Sequence, residues 1–283
     1  MNDQRIKFFW DNKTFAGDFH LAGLERSYHS LDHPEEIAKV PRERRENRDY
    51  TDRYFTYKFN QLGFRSDELD SECDNRILFA GDSFALGEGV PLDRLWCYRY
   101  LQFVAQQTGK PLHYYNVGAS GASSRRILRN VIAATTQYQF DKVIAIFAHW
   151  SRISVVVEAE WKMLIPTDFQ PGFRRRMGGL DSKAMFKAVN EETLFVNWLQ
   201  DILMCKMHCD SKGVPFHWFT WVNDLDPAVL PEALQDCMIP ISTLPEHQPT
   251  QFTFARDGCH FGDAQNNLWY ESLKLYFKDK NNG

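Results

Sequence analysis

The chain changes character near residue 76. Residues 1 to about 75 carry little regular hydrophobic periodicity and much charge, whereas beyond them short apolar runs alternate with helix-period segments. That alternation is the pattern of an α/β fold with a parallel sheet. Residues 76–80 (RILFA) read as a short buried strand that ends at Gly81, and residues 113–117, 142–148 and 214–222 read as three more. A helix is expected from about residue 93 to 107, burying Trp96, Leu101 and Val104 in some combination. Ile127, Leu128, Val131 and Ile132 share one face of a second helix. Leu194, Phe195, Trp198, Leu199, Ile202 and Leu203 mark a third, closed near Gly213, and Leu268, Trp269, Leu273 and Phe277 mark a last one from about residue 263.

The pattern lapses twice. Between about residues 155 and 182, Pro166, Pro171, Gly172, Gly178 and Gly179 break any long element, and residues 223 to 256 carry five prolines. The expected architecture is a three-layer α/β/α sandwich with a mostly parallel central sheet in residues 76–283. An arm of residues 1–75 packs on it, and insertions sit at about 155–182 and 223–256. No internal repeat is present.

Lys plus Arg number 33 and Asp plus Glu 37, a formal net charge of −4, so no global field favours nucleic acid or anionic lipid. In the basic run PRERRENRDYTDR (41–53), Glu43, Glu46, Asp49 and Asp52 interrupt the arginines. This reads as a solvated, salt-bridged surface and not as a nucleic-acid patch. Neither a long apolar run nor the apolar core of a signal peptide is seen, so no membrane span is expected. Cys73, Cys97, Cys205, Cys209, Cys237 and Cys259 form no C-x-x-C pair and read as reduced thiols, which suggests a cytoplasmic protein.

The sharpest local feature is ILFAGDSFALGEGV, a buried strand running into Gly81-Asp82-Ser83 and a glycine-bearing loop. Strand ends of parallel sheets are where sites form, and a serine there sits at a helix N-terminus whose free N–H groups suit a nucleophile. The alternative reading is an Asp-Ser turn that only caps the next helix. The glycines do not form G-x-G-x-x-G, no G-K-[ST] occurs, and Ala85 interrupts G-x-S-x-G. A serine needs a base and the base an orienter. Asp257 and His260, three apart in ARDGCHFGDA ahead of the last helix, fit those roles.

With these motifs the sequence resembles the SGNH hydrolases, also called GDSL esterases and lipases, from roughly Asn60 to the C-terminus. GDSF-x-x-G-x-G-V is met by residues 81–90, N-x-x-G-F-R by Asn60, Gly63, Phe64 and Arg65, and D-x-x-H by Asp257 and His260. The glycine turn after the second strand corresponds to residues 116–121. The resemblance gives the oxyanion-hole role to Gly121, with Gly118 as the second choice. The family's G-x-N-D after the third strand is replaced by His149-Trp150-Ser151-Arg152, which marks a divergent branch. Trp150 takes the Asn position and Ser151 the Asp position, and both side chains, like His149, carry possible donors. Loss of one such donor costs about 10² to 10³ in turnover.

The resemblance implies a serine esterase acting on a small acyl ester, O-acetylated carbohydrate included, through Ser83, His260 and Asp257. The N–H groups of Ser83 and Gly121, with a donor from Trp150 or Ser151, would hold the oxyanion, and no cofactor is required. An O-acyltransferase with the same triad, or a degenerate glycan- or protein-binding domain, are the alternatives. Asp82, His149 and Arg175 are further candidates for substrate contact, Arg174 to Arg176 being suited to an anionic group. Trp161, Trp218 and Trp221 offer sugar-stacking faces, although core packing is the default for the last two. Cys205, His208 and Cys209 have helical zinc-ligand spacing but no clear fourth ligand, and read as a packed helix face.

Overall fold

A computed structural model describes residues 15, 17–71, 76–110, 113–157, 160–164, 190–222, 225–241 and 253–282. In the N-terminal arm the elements are short: β1 (Glu25–Arg26) pairs antiparallel with β2 (Tyr57–Lys58), and α1 (Pro34–Ile37) and α2 (Arg42–Glu46) span one turn each. The arm nonetheless buries Leu21, Tyr57 and Phe59 around Leu86, and sends Phe15, Phe64 and Leu69 into the main core.

Four parallel strands make the central sheet: β3 (Ile77–Ala80), β4 (Tyr115–Asn116), β5 (Lys142–Phe147) and, after an intervening antiparallel pair, β8 (Phe216–Thr220). Their spatial order is β4-β3-β5-β8, so in chain order the second strand lies beside the first and the third and fourth follow on the other side. That order is flavodoxin-like, and its reversal of direction opens a crevice at the C-terminal ends of β3 and β5.

Both faces are covered, which is why the strands read as unbroken apolar runs. Leu78, Ala80, Val143, Ala145, Phe147, Phe216 and Trp218 meet the helices α5 (Ser124–Gln137) and α6 (Glu191–Ser211) on one side. Ile77, Phe79, Ile144, Ile146 and Phe219 alternate with them and meet the helices α4 (Trp96–Thr108) and α8 (Asp263–Asn282) on the other, giving three layers. The one-turn helices α3 (Ser83–Leu86) and α7 (Glu232–Gln235) complete the set.

β4 is shorter than the sequence suggests because it lies at the sheet edge and the arm takes its donors. Tyr114 N–H donates to Asp67 Oδ2 at 2.9 Å and Asn116 N–H to Ser66 Oγ at 3.0 Å. This also shields the edge from pairing with another chain. The expected irregular stretch after residue 155 begins instead with an antiparallel pair, β6 (Ile153–Val157) and β7 (Glu160–Leu164). The sequence ISVVV has the β-branched content of a strand, and the disrupting prolines come only later. On the far edge, residue 238 bridges β8 in parallel through Trp218, so part of the second interruption borders the sheet.

Cys205 and Cys209 sit in the core and His208 Nε2 pairs with Thr135 Oγ1 at 3.0 Å, so this helix face is packed. Cys97, Cys205, Cys209, Cys237 and Cys259 are free thiols. No helix among the described residues is long and apolar enough to cross a membrane.

Trp218 is fully buried between Phe147 and Trp198, with its indole N–H on the Leu234 carbonyl at 3.0 Å. Trp218→Ala is expected to destabilise the protein by about 3–5 kcal/mol in urea unfolding.

Candidate active site

Gly81 leaves β3 where no side chain fits: a Cβ there would stand 2.8 Å from both Ala85 Cβ and the Ile146 carbonyl oxygen. Asp82 then caps α3, its Oδ1 accepting from Phe84 N–H at 3.0 Å, and Ser83 opens the helix. A single turn has no helical stability of its own, so its C-terminal carbonyls need outside donors. Trp96 Nε1 donates to Phe84 O at 3.0 Å, Asn116 Nδ2 to Ala85 O at 2.7 Å, and Arg65 Nη1 to Gly87 O and Val90 O at 2.9 Å each.

This gives the N-x-x-G-F-R motif a physical meaning. Asn60 Oδ1 accepts from Leu62 and Phe64 N–H and shapes the turn, Phe64 fills the core, and Arg65, 2% exposed, binds the carbonyls of the serine loop. The β4 turn must also approach closely, since a Cβ on Gly118 would lie 2.8 Å from Ala85 Cβ and Leu86 N.

The candidate base arrives from the other end of the chain. Asp257 Oδ1 accepts from the N–H groups of Cys259 and His260 at 2.8 and 2.9 Å, and its Oδ2 bonds His260 Nδ1. His260 Nε2 lies 2.7 Å from Ser83 Oγ. All three residues are buried, with Phe84 edge-on to the imidazole at 5.1 Å. Burial would raise the Asp257 carboxyl, but His260 and the backbone donors outweigh it and hold it below its ordinary value. Burial would lower His260, but Asp257 and then Glu88 overcome that and bring it up to about 9.

The remaining sequence candidates are placed differently. Gly118 N–H is engaged by Asn116 Oδ1 at 2.8 Å, while Gly121 follows in the same turn with φ 63°. The Trp150 indole N–H, expected at the oxyanion, instead faces Glu191 Oε1 at 3.2 Å; its ring is stacked on His149 and edge-on to Phe195 and Trp198. Ser151 turns its N–H and Oγ to His149 Nδ1, at 3.1 and 2.8 Å. Asp82 is fully buried and its Oδ2 accepts from Arg152 Nη1 at 2.8 Å and Trp221 Nε1 at 3.2 Å, so internal donors occupy this candidate for substrate contact. Trp218 is in the core, but Trp221 is only partly buried, edge-on to Phe84 at 5.4 Å. Arg174, Arg175, Arg176 and the Trp161 side chain lie outside the described residues.

Several site residues were not singled out from the sequence. Arg152 holds Asp82, together with Trp221, which the sequence offered only as a stacking face or core residue. Glu88, 1% exposed, places Oε2 3.4 Å from His260 Nε2 and Oε1 3.4 Å from His29 Nε2, and accepts from Ser120 Oγ at 3.1 Å. Asp32 accepts from His29 N–H and Tyr57 OH, both at 2.5 Å, and pairs with Arg256 Nη2 at 2.5 Å. Tyr57 OH accepts in turn from Gly89 N–H at 2.7 Å. The arm therefore ties the serine loop to the histidine loop. Only the apolar character of Tyr57 and Phe59 hinted that this part of the arm is interior.

No protein-family model matches the chain, and no curated protein sequence does. Among solved structures it is similar to the psychrotrophic esterase EstA from Pseudoalteromonas sp., at 15% identity and a TM-score of 0.44 over 74% of this chain and 100% of that one. A lipase/acylhydrolase from Enterococcus faecalis is similar at 12% identity and 0.41, over 73% and 97%. A GDSL-like lipase from Bacteroides thetaiotaomicron VPI-5482 is similar at 13% and 0.38, over 73% and 89%. At these identities and scores no residue role is transferred.

Asp32→Ala would leave Arg256 buried without its carboxylate. It is expected to cost about 3–5 kcal/mol, read from the urea unfolding midpoint.

Proposed function

We propose that this chain is a serine ester hydrolase of the SGNH type, cleaving a small acyl ester, with O-acetylated carbohydrate among the substrates to test. The observation that carries the reading is the alignment of Asp257, His260 and Ser83, in which both imidazole nitrogens are engaged and Nε2 sits 2.7 Å from the serine oxygen. A domain that only binds has no need of that alignment.

In this reading Ser83 Oγ attacks the ester carbonyl while its proton passes to His260 Nε2, and Asp257 steadies the imidazolium through Nδ1. Collapse of the tetrahedral intermediate breaks the ester C–O bond, and the departing alcohol takes the proton from Nε2. Water then repeats the sequence on the acyl-serine, returning the free acid and Ser83. The oxyanion accepts from the backbone N–H groups of Ser83 and Gly121. Trp150 is left out because its N–H faces Glu191, and Ser151 because it is bound to His149. The loop after β5 acts instead through Arg152, whose guanidinium fixes Asp82 and with it the cap of the nucleophile's helix.

A fluorophosphonate probe is expected to label the wild type and not Ser83→Ala. With p-nitrophenyl acetate, Ser83→Ala and His260→Ala are each expected to lose about a thousandfold or more in kcat. Undiminished labelling or turnover in Ser83→Ala would refute the assignment.

The pH dependence follows from His260, which takes the serine proton only when neutral. With its pKa brought up to about 9, activity falls as pH drops through that value, so kcat/KM should climb from neutral pH and level off above about 9. A profile already flat at pH 7 would contradict this.

A further inference from the structure

Glu88 has no part in the mechanism above, yet it is the buried carboxylate nearest the reacting nitrogen. Its Oε2 stands 3.4 Å from His260 Nε2, the same atom that lies 2.7 Å from Ser83 Oγ. Its other oxygen is held by Ser120 Oγ and lies 3.4 Å from His29 Nε2, a buried ring nitrogen with no hydrogen-bond partner. Resting on the ester-hydrolase reading, we propose that Glu88 is a positioning residue of that reaction. It is a second carboxylate, set on the serine side of His260, that stabilises the imidazolium formed when His260 takes the Ser83 proton.

The charges around this pair single out His260. In the acyl-transfer step the Ser83 O–H bond breaks, the N–H bond forms at Nε2, and a positive charge appears between Asp257 on one nitrogen and Glu88 on the other. The groups facing His260 are Asp257, Glu88 and Asp82, and those facing Glu88 are His260, Asp257, Asp32, His29 and Ser120. Asp82 is already paired with Arg152, and Asp32 with Arg256. His29 is taken down to about 4 by burial, so it stays neutral at pH 7 and does not offset the charge of Glu88. Among these groups, the cation that forms during turnover is His260. Burial raises Glu88 itself to about 7, so its support is available on the alkaline side, where the base also works.

An opposite charge at this range favours the charged imidazole by about one to three pH units. The test follows the His260 ring nitrogens by NMR in histidine-15N-labelled full-length protein across pH, for wild type, Glu88→Gln and Glu88→Asp. Glu88→Gln is expected to lower the His260 titration by about one to three pH units. The acid limb of kcat/KM for p-nitrophenyl acetate should move by the same amount, with Glu88→Asp intermediate.

An unchanged His260 titration in Glu88→Gln overturns the proposal, even if activity falls, and assigns Glu88 to packing alone. Should Glu88→Gln fail to fold, Glu88→Asp carries the test, and a wild-type titration there overturns it. The titration needs no turnover. If fluorophosphonate labelling fails while the titration still shifts, the hydrolase reading falls and the pairing of Glu88 with His260 stands.

Discussion

The Asp32 carboxylate, fully buried, gathers the donors that hold the candidate-site end of the sheet together. Arg256, the residue before Asp257, pairs with it; Tyr57 donates to it and accepts from Gly89, the residue directly after Glu88. Arg256 also lies over the ring of Phe55 at 3.7 Å and that of Tyr28 at 5.0 Å, and donates to the Ser27 carbonyl. A buried ion pair contributes little net stability against an apolar replacement, but it fixes geometry, because each partner is costly to leave alone. Here that geometry is the separation between the serine loop and the histidine loop. An arm with almost no regular structure of its own thus sets the registration of two loops that the sheet merely brings near one another.

The same interior treats two histidines in opposite ways. Burial lowers both, but His29 ends near 4 and His260 near 9. The difference is the company of each ring. Glu88 lies 3.4 Å from both rings, so what sets His260 apart is Asp257, hydrogen-bonded at Nδ1, whereas the Asp32 near His29 is already committed to Arg256 and Tyr57. Burial by itself is a poor guide to the charge of an imidazole; the placement of carboxylates around it decides.

Much of this was legible in the sequence where the signal is local. The strands of the sheet announced themselves as apolar runs, and Gly81-Asp82-Ser83 and Asp257-x-x-His260 each encode a turn within a few residues. What was hidden depends on partners far along the chain. Glu88 looked like a loop residue because nothing nearby in sequence says that His29, Ser120 and His260 converge on it. Trp150 stood at the expected position after β5, but the direction of its indole was fixed by Glu191 and Phe195 at the start of α6. Trp221 read as core because it lay in the apolar run of the fourth strand, whereas that strand ends at Thr220 and the indole reaches the crevice.

The contacts that define the site are unusually distant along the chain: His260 meets Ser83 across 177 positions and Arg256 meets Asp32 across 224. Contacts of such separation are late events in folding, since the entropy of closing the chain must be met before they form. On a ribosome the sheet strands and three of the four long helices emerge before residue 256. A core can therefore assemble around Ser83 before His260 is in place. On the proposed hydrolase reading, activity would then report completion: Ser83 would stay inert in the nascent chain until the last helix docks and carries the histidine loop into place.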